Sequence, residues 1–448
     1  TMHTKSIVLP SIIEDFENAL AESMPFSGNS EDYLAIISHY RQSDFQSLAL
    51  EAAETAARQF PDHLQFFLIQ AQLLIEMRRE TQAIELLNVA YTVDHQHVSI
   101  ELMRAEALTC MGRYDAALEL IEALKNQSPE TQLADILVAE AMVYEQRQEH
   151  ERAFLVLKTA MKFHPGHQRA LERLGVCVEN TRRYEESIIL HGELIDAAPY
   201  AFQAWYNLAN AFAGTGRYEE ALQAYEYAFL TNEDFEQAYY DYAELSLELG
   251  KPERALQCYE EAASRFELGA DQFIQLGRCH EALGNYQDAA TAYIKALGYE
   301  PFDDELLYHI GCCQMAMCQF DKAARYFRRA LSIDDAGEEY HLALAEALSA
   351  GAKYAKAEFH FHEALCLSQY EERYLLAYAR FLLIQGRALE ALTLLGEAFD
   401  ETEASPRLVY AHIVCLKAVG RQAEASYRLA EAMERFPEEA SFLTDWAA

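Results

Sequence analysis

The sequence predicts an all-α solenoid built of tandem helix-turn-helix hairpins, and three observations carry that expectation. The vocabulary is helical: Ala, Glu, Leu, Arg and Tyr dominate, only 10 of 448 residues are Pro, and Val-Ile-Thr alternation is nearly absent. The chain repeats itself: "QAWYNLANAFAGTGRYEEALQAYEYA" (Gln203 to Ala228) is followed 34 residues later by "QAYYDYAELSLELGKPERALQCYEEA" (Gln237 to Ala262). Another 34 residues on stands "DQFIQLGRCHEALGNYQDAATAYIKA", Asp271 to Ala296. Finally, small side chains recur at fixed places, where two helices must approach closely.

With Phe202 as position 1, twelve units begin at Ser30, Leu64, Val98, Ala134, Gln168, Phe202, Glu236, Ala270, Asp304, Glu338, Glu372 and Pro406. Ahead of them, residues 1–29 hold a segment in which Pro10 to Met24 is expected to form a capping helix. Within each unit the first helix carries bulky residues at positions 4, 7 and 11, and Ala or Gly at position 8 in ten units. The turn follows at position 15, marked by Gly112, Gly216, Gly250, Gly284, Gly386 and Gly420, suited to the left-handed residue that closes a helix. The second helix has Ala at position 20 everywhere except Ser187, and Ala at position 27 except Leu124 and Leu194. Pro61, Pro129, Pro165, Pro199, Pro301 and Pro437 stand at position 32, where Pro ends the helix it cannot extend.

One irregularity breaks the register. Gln132 and Leu133 are two residues too many between the third and fourth units. Inside an ideal helix they would turn one face by roughly 200°, so they are expected to lengthen the connecting turn or a helix end and to alter the local pitch. Residues 440–448 open like a further first helix and stop; Phe442, Leu443 and Trp446 are expected to cover the last repeat. Since each hairpin of such an array meets only its neighbours, residues 30–439 read as one continuous domain.

Composition narrows the partners. A formal net charge of −36 opposes binding to a phosphate backbone, which requires clustered Lys and Arg, and discourages contact with anionic membranes. Neither nucleic acid nor membrane is therefore expected as a partner. The start, "TMHTKSIVLPSIIEDF", lacks the long apolar core and cleavage site of a secretory signal. The nine scattered cysteines read as reduced thiols of a cytoplasmic protein.

Chemistry is hard to find. The sequence contains no G-x-S-x-G, G-x-x-x-x-G-K-[ST] or H-E-x-x-H. His95 with His97 and His360 with His362 lie two apart, and on a helix that spacing points them to different faces. Cys312, Cys313 and Cys318 lack the paired C-x-x-C spacing of a zinc site. The reading is of a protein that is not an enzyme and uses no cofactor or metal.

Bulky at 4, Leu at 7, small at 8, aromatic at 11, Gly near 15, Tyr at 17, Ala at 20, aromatic at 24, Ala at 27 and Pro at 32: this pattern resembles the tetratricopeptide repeat. It covers about nine-tenths of the chain and is tightest from Phe202 to Gln369. The resemblance implies a right-handed superhelix whose first helices line a concave groove through positions 2, 5, 9, 12 and 13. It also implies a non-catalytic scaffold that binds a peptide or helical segment of a partner protein there. The alternative is a regulatory or targeting subunit of a separate catalytic chain.

On that implication the groove residues are Tyr206, Asn210, Tyr240, Glu244, Glu248, Ile274, Arg278, Glu281, Tyr308, Leu342, Glu346, Arg373, Arg380, Arg407, Tyr410 and Lys417. Position 5 is apolar or aromatic in every unit except at Glu172. In units two to ten the lining positions hold thirteen acids against Arg169 and Arg278; units eleven and twelve hold four bases and no acid. A ligand basic along most of the groove, and acidic where it meets the last two units, is expected. Position 5 never holds Lys, and Asn210 is the sole Asn at position 9, which argues against the carboxylate grip that chaperone-binding members use. The sequence leaves homo-oligomerisation open.

Overall fold

The computed structural model describes residues 2–21, 26, 28–93, 97–397 and 405–436. Among them lie twenty-five helices, numbered α1 to α25 in chain order, and no strand. The repeat register sets where each begins. First helices start at position 1 in eleven of the twelve units, as at Ser30, Val98, Phe202 and Glu372, and second helices at position 17, as at Tyr114, Tyr218 and Tyr354. The expected C-terminal cap at 440–448 lies outside the described residues.

The turn inside each hairpin is one device repeated. Its position 15 has a positive φ in all twelve units: between 69° and 88° at the six glycines, and between 53° and 61° at Asp44, Arg78, Gln148, Arg182, Cys318 and Ala352. That left-handed residue lets the next amide reach back to close the helix, as in Arg217 N to Phe212 O at 2.9 Å and Lys353 N to Leu348 O at 2.8 Å. The geometry belongs to the hairpin, and glycine is only its least strained occupant.

Small residues have the role their recurrence implies. Position 20 is buried in every unit, from Ala49 to Ala425. At position 8, a Cβ added to Gly277 would come within 2.4 Å of the Tyr293 ring, and one added to Gly311 within 2.4 Å of the Phe327 ring. Tyr293 and Phe327 stand at position 24 of the same hairpins and are fully buried. In these two hairpins position 8 is small because the aromatic of position 24 lies against it.

The helices group into two compact units, Thr1–Ala238 and Tyr239–Ala448. In the first unit, α1 (Met2–Ala21) runs through Pro10 rather than starting there. Its Phe16 is fully buried, edge-on to Phe26 at 5.4 Å and to Tyr33 at 6.2 Å, so α1 covers the first hairpin. The two extra residues lie in α8 (Glu130–Gln146), which has 17 residues where most first helices have 13. Only Ser128 and Pro129 separate it from α7 (Tyr114–Gln127).

The first unit also holds a buried polar network between α10 (Gln168–Thr181), α11 (Tyr184–Ala197) and α12 (Phe202–Gly214). Ser187 and His191 replace the usual alanine and bulky apolar residue of positions 20 and 24, and both are fully buried. His191 Nδ1 lies 2.9 Å from both the hydroxyl and the carbonyl oxygen of Ser187, and its Nε2 lies 3.2 Å from Asn207 Nδ2. Asn207 also donates to Leu171 O at 2.6 Å and accepts from Gln203 Nε2 at 3.1 Å. Burial pushes the His191 pKa down to about 4.

Candidate functional site

In the first unit, a cleft of about 400 Å³ opens between α4 (Leu64–Glu76), α6 (Val98–Cys110) and α8. Its lining follows the repeat. Leu68, Leu102 and Val138 come from position 5 of three successive first helices; Gln72, Glu106 and Met142 come from position 9; Ser99, Asp135 and Arg169 come from position 2. Such convergence follows from helix geometry, since residues three and four apart share a face. Its lining mixes apolar side chains with polar ones, Thr109 and Glu106 among them. The candidate residues drawn from the sequence begin only at Tyr206, in the units that match the repeat best, so they miss this cleft. The position-5 alternation from Leu68 to Val138 is the signal that marks it.

Farther along the first unit, Tyr206 is half-buried between Tyr225 at 5.8 Å and Phe235 at 5.0 Å. Asn210 accepts a 2.6 Å hydrogen bond from the Tyr225 hydroxyl.

In the second unit Tyr240 stacks on Tyr259 at 6.2 Å. Ile274 is half-buried. Tyr308 is half-buried against Phe327 at 5.8 Å and Tyr340 at 5.5 Å. Leu342 and Tyr410 are buried; they contribute packing rather than accessible lining. Glu244, Glu248, Glu346, Arg278, Arg380 and Arg407 are exposed, and Lys417 is half-buried. Cys312, in the same lining, is a half-buried thiol whose pKa burial pushes up to about 11, so it is protonated at neutral pH and a poor nucleophile.

Ion pairs temper the field that the sequence implies. Glu76 accepts from Arg41 at 2.9 Å, Glu145 pairs with Arg173 at 2.5 Å, and Arg373 reaches Glu339 at 2.7 Å. Glu281 accepts from the Tyr293 hydroxyl at 2.8 Å and lies 3.7 Å from His309 Nδ1. That imidazole draws the Glu281 carboxyl below its usual pKa range against the opposing effect of burial. The Arg373–Glu339 pair stands where the acidic lining meets the basic one. Arg173, outside the lining, and Arg41 and Arg373, at lining positions of units one and eleven, therefore neutralise part of the acidic excess of units two to ten.

The histidine pairs are separated by their helices. His360 Nδ1 faces His341 Nδ1 at 3.0 Å, whereas His362 lies 3.7 Å from Glu363. His97 is the N-cap of α6, and His95 lies outside the described residues. Among the described residues no three His, Cys, Asp or Glu side chains gather as a metal set.

Two tetratricopeptide-repeat family models match the chain, one at 33–95 and 240–304, the other at 212–267 and 280–347. A search of curated proteins gave no match. Among solved structures, the chain is similar to YrrB, described as a TPR protein with an unusual peptide-binding site, at 18% identity and a TM-score of 0.38. That match covers 41% of this chain and 94% of YrrB. It is also similar to a chain of the APC/C hetero-tetramer Cut9–Hcn1, at 15% identity and a TM-score of 0.34, covering 95% of this chain and 99% of that one. A tetratricopeptide repeat protein from Parabacteroides merdae matches at 16% identity and a TM-score of 0.36, over 56% of this chain and 99% of that one.

Proposed function

From the premise that this chain is a member of the tetratricopeptide-repeat family, we propose that it is a non-catalytic scaffold whose first-helix faces hold a peptide or helical segment of a partner protein. The family and the fold typically serve protein interaction without catalysis. The observation that carries the finer reading is the cleft of the first unit, which positions 2, 5 and 9 of successive repeats line together, Leu68, Leu102 and Val138 being its position-5 residues. No helix among the described residues is long and apolar enough to cross a membrane.

The segment is basic along most of its length. Glu106 and Asp135 line the cleft of the first unit beside Arg169, and clefts lined mainly by one sign steer opposite charge toward them. Affinity comes mainly from the apolar side chains and the tyrosines, because exposed ion pairs contribute only about 0–1 kcal/mol each.

The test is selection of binders from a random peptide library, followed by titration against Leu68→Asp with Leu102→Asp. Selected peptides are expected to be rich in Lys and Arg and to lose at least tenfold in affinity. Peptides that bind the substituted protein equally well would rule out the first-helix cleft as the site.

A further inference from the structure

One of the two residues that break the repeat, Gln132, lines a second cleft, which shares Val98 and Gln132 with the groove cleft. It measures about 650 Å³ and lies between the end of α5 (Glu80–Val93), the start of α6, the end of α7 and the start of α8. Among the described residues, three buried polar atoms on residues of its wall have no hydrogen-bond partner: His97 Nδ1, Glu101 Oε2 and Gln132 Oε1. Native structures rarely leave such atoms unpaired, and each one asks for an explanation. Three on a single cleft, one of them on an inserted residue, point to a ligand.

We propose that this cleft binds a guanidinium group, the side chain of an arginine in a partner segment. The unpaired oxygens of Glu101 and Gln132 accept and do not donate, and His97 Nδ1 accepts when its ring carries the proton on Nε2. An anion or a carbonyl would add another acceptor; a ligand rich in N–H groups supplies what is missing. The acceptors come from three places: the N-cap of α6, its first turn and the first turn of α8. A planar fork of five donors spans such a set better than the compact ammonium of lysine.

Arg104, the one arginine or lysine among the described residues of the cleft, is already engaged. Its Nη1 donates to Glu101 Oε1 at 2.8 Å, and its guanidinium carbon lies 5.8 Å from the centre of the Tyr91 ring. One carboxylate oxygen is thus taken and the other left. Leu120, Leu124 and Pro129 supply an apolar wall for the methylene stem. Rotation about the last torsion of Glu101 and Gln132, which is broad for these side chains, turns their occluded oxygens toward the cleft.

The experiment is methyl NMR of the full chain titrated with N-acetyl-arginine methylamide, and with its lysine and citrulline counterparts, reading the methyls of Leu120 and Leu124, which line this cleft and not the groove cleft. Saturating shifts are expected for the arginine probe, with binding at least fivefold weaker for the other two. Glu101→Gln should weaken the arginine probe at least tenfold. Gln132→Leu, a nearly isosteric change, should weaken it severalfold even if Glu101→Gln perturbs folding. Leu389→Ala, at an exposed position on neither cleft, should leave it unchanged. Absent shifts, an equal response to citrulline, or unaltered binding in both cleft variants would overturn the assignment.

Discussion

Acid should weaken the first unit through His191, and the size of the effect follows from its contacts. The neutral ring donates from Nδ1 to the Ser187 carbonyl and accepts at Nε2 from Asn207 Nδ2. A second proton would go on Nε2, setting N–H against N–H in a fully buried site. The folded pKa accordingly falls to about 4, against about 6.5 for an unfolded histidine. The sign follows from linkage: below about pH 6.5 the unfolded chain binds the proton that the folded chain refuses. Stability is full above that value and is lost as pH drops toward 4. One pKa unit corresponds to about 1.36 kcal/mol, so the loss is about 2 kcal/mol between pH 7 and about pH 4.5. Trp205 reports it locally, since it lies on α12 beside the network and stacks on Tyr227 at 4.6 Å. In a Trp446→Phe background, urea unfolding followed by Trp205 fluorescence is compared with the same chain carrying Ser187→Ala and His191→Phe. Other titrating groups are common to both, so the stability difference between them should narrow or reverse by about 2 kcal/mol on acidification. A difference that stays constant with pH would refute the buried neutral histidine.

Gly216→Ala should cost about 1 kcal/mol, because alanine at φ 78° is strained; Ala352→Gly, at φ 56°, should cost nothing, and thermal melts of the two order the effects. Gly311→Ala should destabilise by about 1–3 kcal/mol through overpacking, since its Cβ meets the Phe327 ring at 2.4 Å. Combining it with Phe327→Leu should recover part of that loss, and a strictly additive double variant would contradict the contact. For a library-selected basic peptide that engages the second unit, Glu244→Lys with Glu248→Lys should slow association in low salt and matter less in high salt. Tyr240→Ala should instead speed dissociation, both read by stopped flow.

Much of the fold was legible because it is periodic. A 34-residue register locates the helix starts, since every unit solves the same packing problem, and the pairing of Gly277 with Tyr293 shows why position 8 had to be small in that hairpin. What escaped depends on specific partners rather than on period. Glycine marks the left-handed turn in six units, but Cys318 and Ala352 adopt it too, held there by the hairpin rather than by their own preference. The acidic excess of the lining looked opposed by Arg169 and Arg278 alone because Arg41 and Arg173, which pair with Glu76 and Glu145, lie outside the positions and units counted. Leu342 and Tyr410 occupy groove positions in the register yet are buried, because burial along a stack depends on the neighbours each unit meets.

The insertion at Gln132 and Leu133 shows how a fixed register can absorb a change and gain a feature from it. Added within a helix, two residues would swing every later side chain by roughly 200°, taking Val138 and Ala141 out of the core. Both remain buried. The cause lies in where the residues went: α8 begins four residues ahead of Ala134, at Glu130, so it grew backward from its start. Everything from position 1 onward keeps its face. Four residues are close to one full turn at 3.6 per turn, and the connection shrinks to Ser128 and Pro129. Pro129 suits this role, since it ends α7 while serving as the N-cap of α8 without needing an N–H partner. The added turn sets Gln132 on the wall of a cleft beside Glu101 and His97. The groove residues follow from the repeat, whereas this cleft follows from the single place where the repeat is broken.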